Sequence, residues 1–162
     1  MDTQFAVIAI PTKVADLVRT SMKAPGYGHP AHAEIATGHG PCRHCLRTFR
    51  IGEDRRILFT YDPFRELGCP PLPGPIFVHA EPCERYGQNA GYPQQLRPHA
   101  VTLQAYGKDR RLRAEEYVSD GRVEPAIELL FDRNEVQYVH VRDTEAGCYD
   151  FRVERTQLGQ AG

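Results

Sequence analysis

The chain has 162 residues, a length that fits a single domain able to bury roughly two-thirds of its unfolded surface. Its 20 Lys+Arg against 21 Asp+Glu leave a formal net charge of -1, so no overall field draws it to nucleic acid or to anionic lipid. Lysine occurs only at Lys13, Lys23 and Lys108, and an arginine-rich surface suits bidentate contacts with carboxylate or phosphate.

Phe5 to Ile10 is a short apolar run closed by Pro11, which predicts a buried strand. It follows Asp2 rather than a basic segment and is too short to span a bilayer, so neither a signal peptide nor a membrane anchor is expected and the protein is placed in the cytoplasm. Thr12 is positioned as the N-cap of a helix whose apolar face carries Val14, Leu17, Val18 and Met22, stopped by Pro25-Gly26. Tyr27 to Pro41 is rich in Gly, His and Pro and reads as loop.

Arg55 to Tyr61 is predicted as a strand, introduced by the turn signal Gly52-Glu53-Asp54 and ended by Asp62-Pro63. Residues 62–98 hold eight of the 13 prolines, so most of that stretch crosses the surface as ordered loop, interrupted by a strand from Pro75 to Ala80. Val101 to Tyr106 and Arg110 to Val118 extend the strands. A second helix then carries Val123, Ile127, Leu130 and Phe131 on its apolar face, with Pro125 near its first turn and Asn134 beyond its end. Val136 to Arg142 and Cys148 to Glu154 close the chain as a hairpin over Asp143-Thr144-Glu145-Ala146-Gly147. This order lacks regular βαβ alternation. It predicts one compact α+β domain over residues 1–162, with a mostly antiparallel sheet and two main helices.

Five cysteines, an odd count in a chain without a secretory signal, favour thiols or metal ligands over a disulfide framework. Cys42-Arg43-His44-Cys45 is a Cys-x-x-Cys pair, and His79 with Cys83 forms a second half-site. Together Cys42, Cys45, His79 and Cys83 make the four ligands of a closed tetrahedral zinc site. The strand and proline-rich loop between the two halves weigh against that reading. The sequence favours a different chemistry for the same residues, with zinc as the runner-up: a small-molecule or anion-binding pocket, open to catalysis, in which Arg43 clamps the anion, His79 is acid/base and Cys42 or Cys83 is a reactive thiol. His140 and Arg142, on one face of their strand, would extend such an anion site. A thioredoxin-like exchange site would need a strand directly before the pair, and Ala36 to Pro41 is not one. The sulfurs also fit a core as small buried groups.

Elsewhere the signals are weaker. Gly26-x-Gly28 lacks the third glycine and the following helix of a dinucleotide fingerprint. His29, His32 and His39 are scattered along a loop, and Tyr86, Tyr92 and Tyr106 come without an RNA-binding motif, so no nucleic-acid partner is expected.

Pro41-Cys42-Arg43-x-Cys45-Leu46, Gly52-Glu53, Tyr61-x-Pro63-Phe64, Gly74-Pro75-Ile76-Phe77-Val78-His79-Ala80 with Cys83, and Gly147-Cys148 resemble the bacterial family called domain of unknown function 1203, in the family's order and across nearly the whole chain. The resemblance implies a small single-domain bacterial protein and carries no activity, substrate or cofactor. It directs attention to Cys42, Arg43, His79 and Cys148.

Overall fold

The computed structural model describes residues 5–68 and 70–156. These residues form an α+β architecture with two α-helices and two wholly antiparallel sheets, in place of the one sheet expected. They divide into two compact units: one takes in Phe5–Ile8 and the described residues from Gly87 onward, the other Ala9–Tyr86.

The first unit is built on a five-stranded sheet in the order β1-β8-β7-β5-β6. Its strands are β1 (Phe5–Ile8), β5 (Val101–Tyr106), β6 (Leu112–Val118), β7 (Tyr138–Asp143) and β8 (Tyr149–Arg155). The register sets one face of the sheet apolar, and a slip of one residue in a paired strand would turn its side chains to the other face. Val7, Val153, Val139 and Ala105 thus fall in one cross-strand row, with Leu103, Val141 and Phe151 beside them, and all are buried. The helix α2 (Val123–Phe131) packs against β6 with Val123, Ile127 and Leu130 buried. It ends at Phe131 and is capped by Asp132, ahead of Asn134.

The second unit contains α1 (Thr12–Ser21) and a three-stranded sheet, β2-β3-β4. Its strands are β2 (His32–Ile35), β3 (Arg55–Tyr61) and β4 (Gly74–His79). Ile57 pairs with Val78 and Phe59 with Ile76 across the β3–β4 ladder, and all four are buried. β2 lies where loop was expected. All four of its residues are exposed, so its sequence has no buried face to reveal it, and only its ladder with β3 makes it a strand.

The start of α1 also differs from expectation. Pro11 is the N-cap and Thr12 the first helical residue, which frees the Thr12 hydroxyl to bond the Nε2 of His44 at 2.8 Å. The helix buries Ala15 and Val18 and leaves Leu17 largely exposed. It stops before Pro25-Gly26, because Met22 turns into the left-handed region with φ 52° and donates its N–H to the Val18 carbonyl.

Candidate metal centre

The segment carrying the Cys-x-x-Cys pair is a tight turn rather than a helix. The Cys42 N–H donates to the Arg47 carbonyl at 3.0 Å and the Leu46 N–H to the Cys42 carbonyl at 2.7 Å. Leu46 closes the turn with φ 59°, a left-handed conformation that costs a branched residue about 1 kcal/mol or more. Its fully buried side chain offsets that cost. The approach to the turn requires glycine. Gly40 has φ 93°, and a Cβ there would lie 2.4 Å from the Phe49 ring.

The β3–β4 hairpin supplies the second half. Arg56 pairs with His79 at the end of β4, and the Arg43 N–H donates to the Phe77 carbonyl at 3.0 Å, joining the turn to that strand. The two halves separated by a strand and a proline-rich loop are thereby neighbours. One ligand atom from each of Cys42, Cys45, His79 and Cys83 lies within 4.8 Å of every other. Cys42 Sγ is 3.9 Å from Cys83 Sγ, and Cys45 Sγ is 3.4 Å from His79 Nδ1. Tetrahedral zinc, with Zn–S near 2.3 Å and Zn–N near 2.0 to 2.1 Å, sets sulfur–sulfur edges of about 3.8 Å and sulfur–nitrogen edges of about 3.6 Å. The measured separations sit within a few tenths of an ångström of both. They are far from a disulfide, which needs roughly 2.0 Å, and all four described cysteines are free. Cys69 lies outside the described residues.

Cys42, Cys83 and His79 each have a further partner around the cluster. The His79 backbone N–H donates to Cys42 Sγ at 3.2 Å. Cys83 Sγ accepts from Arg19 Nη2 at 3.1 Å and lies 3.2 Å from His44 Nδ1. Because His44 Nε2 faces the Thr12 hydroxyl, one tautomer satisfies both contacts, with Nδ1–H on the sulfur. Burial and the nearby Arg19 charge push the His44 pKa below its usual value, so the ring is neutral at pH 7. Arg19 also donates Nε to the His79 carbonyl at 3.0 Å. On the far side of the His79 ring, Nε2 is 3.4 Å from Asp54 Oδ2. Asp54 in turn accepts from the Arg50 backbone N–H at 2.8 Å and from Arg50 Nε and Nη2 at 3.1 and 3.0 Å. The backbone bond from Arg50 and then its guanidinium hold the Asp54 carboxyl below the usual range.

Burial opposes ionisation of Cys42, yet the hydrogen bonds it accepts from Cys45, Cys83 and His79 outweigh burial and bring its pKa down. The hydrogen bond to Cys42, a second to Cys83 and burial push the Cys45 thiol up. The bonds to Cys42 and then Cys83 raise the His79 imidazole to about 10. These contacts favour the thiolate at Cys42 and keep protons on Cys45 and His79. A divalent cation in the centre would displace those protons.

The structure thus brings together the four residues predicted as ligands. Arg43 is buried at 2% exposure, and its Nη1 donates to the Pro41 carbonyl at 2.6 Å. His140 and Arg142 belong to the other unit. Cys148, half-buried, has its Sγ 3.7 Å from the Ala146 carbonyl. Sequence reading missed Arg19, His44 and Asp54. His44 stood between the paired cysteines, and Asp54 immediately preceded the strand that pairs with the one bearing His79.

Residues 39–155 match the family described as "Protein of unknown function (DUF1203)". The chain belongs to this family. The DUF1203 match takes in all four clustered residues together with His44 and Asp54, and leaves out Arg19. Neither a curated protein nor a solved structure matches the chain. Among the described residues of this DUF1203 protein no helix is long and apolar enough to cross a membrane.

Proposed function

We propose that this DUF1203 protein is a zinc-stabilised structural or interaction module, with zinc held by Cys42, Cys45 and Cys83 through sulfur and by His79 through Nδ1. The observation that carries the reading is the convergence of four ligand atoms within 4.8 Å of one another. Four protein ligands leave no open coordination position, the pattern of structural rather than catalytic zinc. The outer contacts favour the same conclusion, since a thiolate accepting N–H groups is better stabilised and less nucleophilic. Bound zinc would supply a cross-link between the Cys-x-x-Cys turn and the end of β4. Reduced, metal-bound thiols suit a reducing compartment such as the cytoplasm.

Thiol catalysis, with Cys42 as nucleophile and His79 as base, is served less well. Cys42 is fully buried, and its sulfur already accepts the His79 N–H.

Metal analysis of protein purified without chelator tests the proposal. One zinc per chain, lost in Cys42→Ser, is the expected result. Cobalt substitution should add the charge-transfer and d–d absorption of a tetrahedral thiolate site. Metal-free protein in which one cysteine alkylates rapidly near neutral pH would reject zinc and restore the thiol pocket.

A further inference from the structure

Away from the thiol cluster, the first unit holds an unusual surface on the second face of its five-stranded sheet. The register places Thr102, Arg142 and Tyr149 in one cross-strand row, Gln104, His140 and Arg152 in the next, and Tyr106, Tyr138 and Glu154 in a third. A polar face of an antiparallel sheet ordinarily meets water. This one is withdrawn from it: His140 is fully buried, and Tyr106, Tyr138 and Tyr149 are 6 to 7% exposed. The three phenol rings stand with centroids 5.1, 5.2 and 5.0 Å from the imidazole. Burial, and then the charges of Arg142, Arg152 and Arg110, push the His140 pKa down to about 2. The imidazole is therefore a neutral floor, without an acid/base role near neutral pH.

Arg142 is the group this environment leaves incomplete. Its Nε donates to Gln104 Oε1 at 2.7 Å, an oxygen that also accepts the Tyr106 hydroxyl at 3.2 Å, and its Nη1 reaches the Gly147 carbonyl at 3.5 Å. Both acceptors are uncharged, and Nη2 is buried with no hydrogen-bond partner. The acids on this face are occupied elsewhere. Glu154 pairs with Arg152 at 2.9 Å, and Glu115 accepts from Gln104 Nε2 at 2.8 Å. Among the described residues no carboxylate pairs with Arg142. Arg142 is half-buried, a guanidinium partly withdrawn from water favours a counter-charge, and its planar fork matches the two oxygens of a carboxylate or phosphate.

We propose that this face binds a small oxyanion, a carboxylate or a phosphate, held by the Arg142 guanidinium. The site lies wholly within the first unit and is independent of the metal reading.

The full chain is titrated with inorganic phosphate and, separately, with succinate, by calorimetry and thermal shift at fixed ionic strength against chloride. Saturable binding of at least one probe is expected, with a rise in Tm that follows its occupancy; which probe binds decides between phosphate and carboxylate. Arg142→Lys keeps the charge and loses the fork, and should weaken binding by about tenfold or more. Arg142→Gln should abolish it. Arg111→Gln, which removes a guanidinium from the surface (77% exposed), should leave it unchanged. If Arg142→Gln fails to fold, Arg142→Lys carries the test. No saturable binding of either probe to the wild type, or equal binding by the Arg142 and Arg111 variants, overturns the proposal.

Discussion

Cys42 and His79 stand 37 residues apart in the chain, and a zinc ion held by both closes that stretch into a loop. Treating the cross-link as a loop-closure constraint on the unfolded chain gives a stabilisation of about 4 kcal/mol. Cys42→Ala removes the cross-link and also a small buried sulfur, whose packing contributes about 1 kcal/mol. The two effects separate in a cycle. With zinc bound, wild type should exceed the variant by about 5 kcal/mol. After removal of zinc by a strong chelator, the gap should shrink to about 1 kcal/mol. Urea denaturation followed by circular dichroism supplies the readout, because the chain has no tryptophan. A gap of the same size with and without chelator would refute the reasoning, since Cys42 would then act only through packing.

Asp54→Ala removes the acceptor that fixes the His79 tautomer, and chelator competition should show zinc binding weakened about 10- to 100-fold; unchanged affinity would leave Asp54 no part in positioning the ring. For His140, the folded pKa of about 2 lies below the ordinary 6.5, so between those values the unfolded state binds the extra proton. Its contribution is complete above pH 6.5 and drains away as pH falls towards 2, at about 1.4 kcal/mol per pH unit. Stability measured against pH should lose one proton's worth of that slope in His140→Leu, and parallel profiles would count against the buried neutral ring. Gly40→Ala forces a Cβ to within 2.4 Å of the Phe49 ring at φ 93°. It should destabilise the protein by about 1 to 3 kcal/mol and lower zinc occupancy, and wild-type melting together with full occupancy would show that the turn adjusts freely.

The sequence made visible what depends on local pattern. β3 at Arg55–Tyr61 and β5 at Val101–Tyr106 occur at their expected bounds, the first a β-rich apolar run between turn signals and the second a clean alternation of apolar and polar side chains. β2 could not be read, since His32 to Ile35 have no buried face and owe their conformation to β3. The division into two sheets was equally hidden, as it rests on which strands pair across long stretches of chain. The four clustered residues were legible from residue type and spacing alone. Their outer partners were not: Arg19 arrives on α1, and Asp54 sits at the mouth of β3, so only the tertiary fold brings either to the site.

The charge balance around the cluster ties these partners to the proposed metal. Three thiolates, a neutral imidazole and a zinc dication leave one negative charge in a largely buried position, which a low dielectric penalises unless a cation stands close. Arg19 places its guanidinium on the most exposed of the three sulfurs, Cys83, at 3.1 Å. Neutral His44 adds a second donor there without adding charge. The extra carboxylate of Asp54 behind His79 is matched by Arg50. A loaded site would thus be near neutral overall, with all four coordination positions filled by the chain. A centre that exchanges ligands or transfers groups keeps a position open, whereas here outer contacts hold Cys42, Cys83 and His79 in place. The same contacts make α1 part of the centre's surround: Thr12 reaches it through His44, and Arg19 reaches it directly. Loss of zinc would therefore loosen the bonds holding this helix at the cluster as well as the link between the turn and β4.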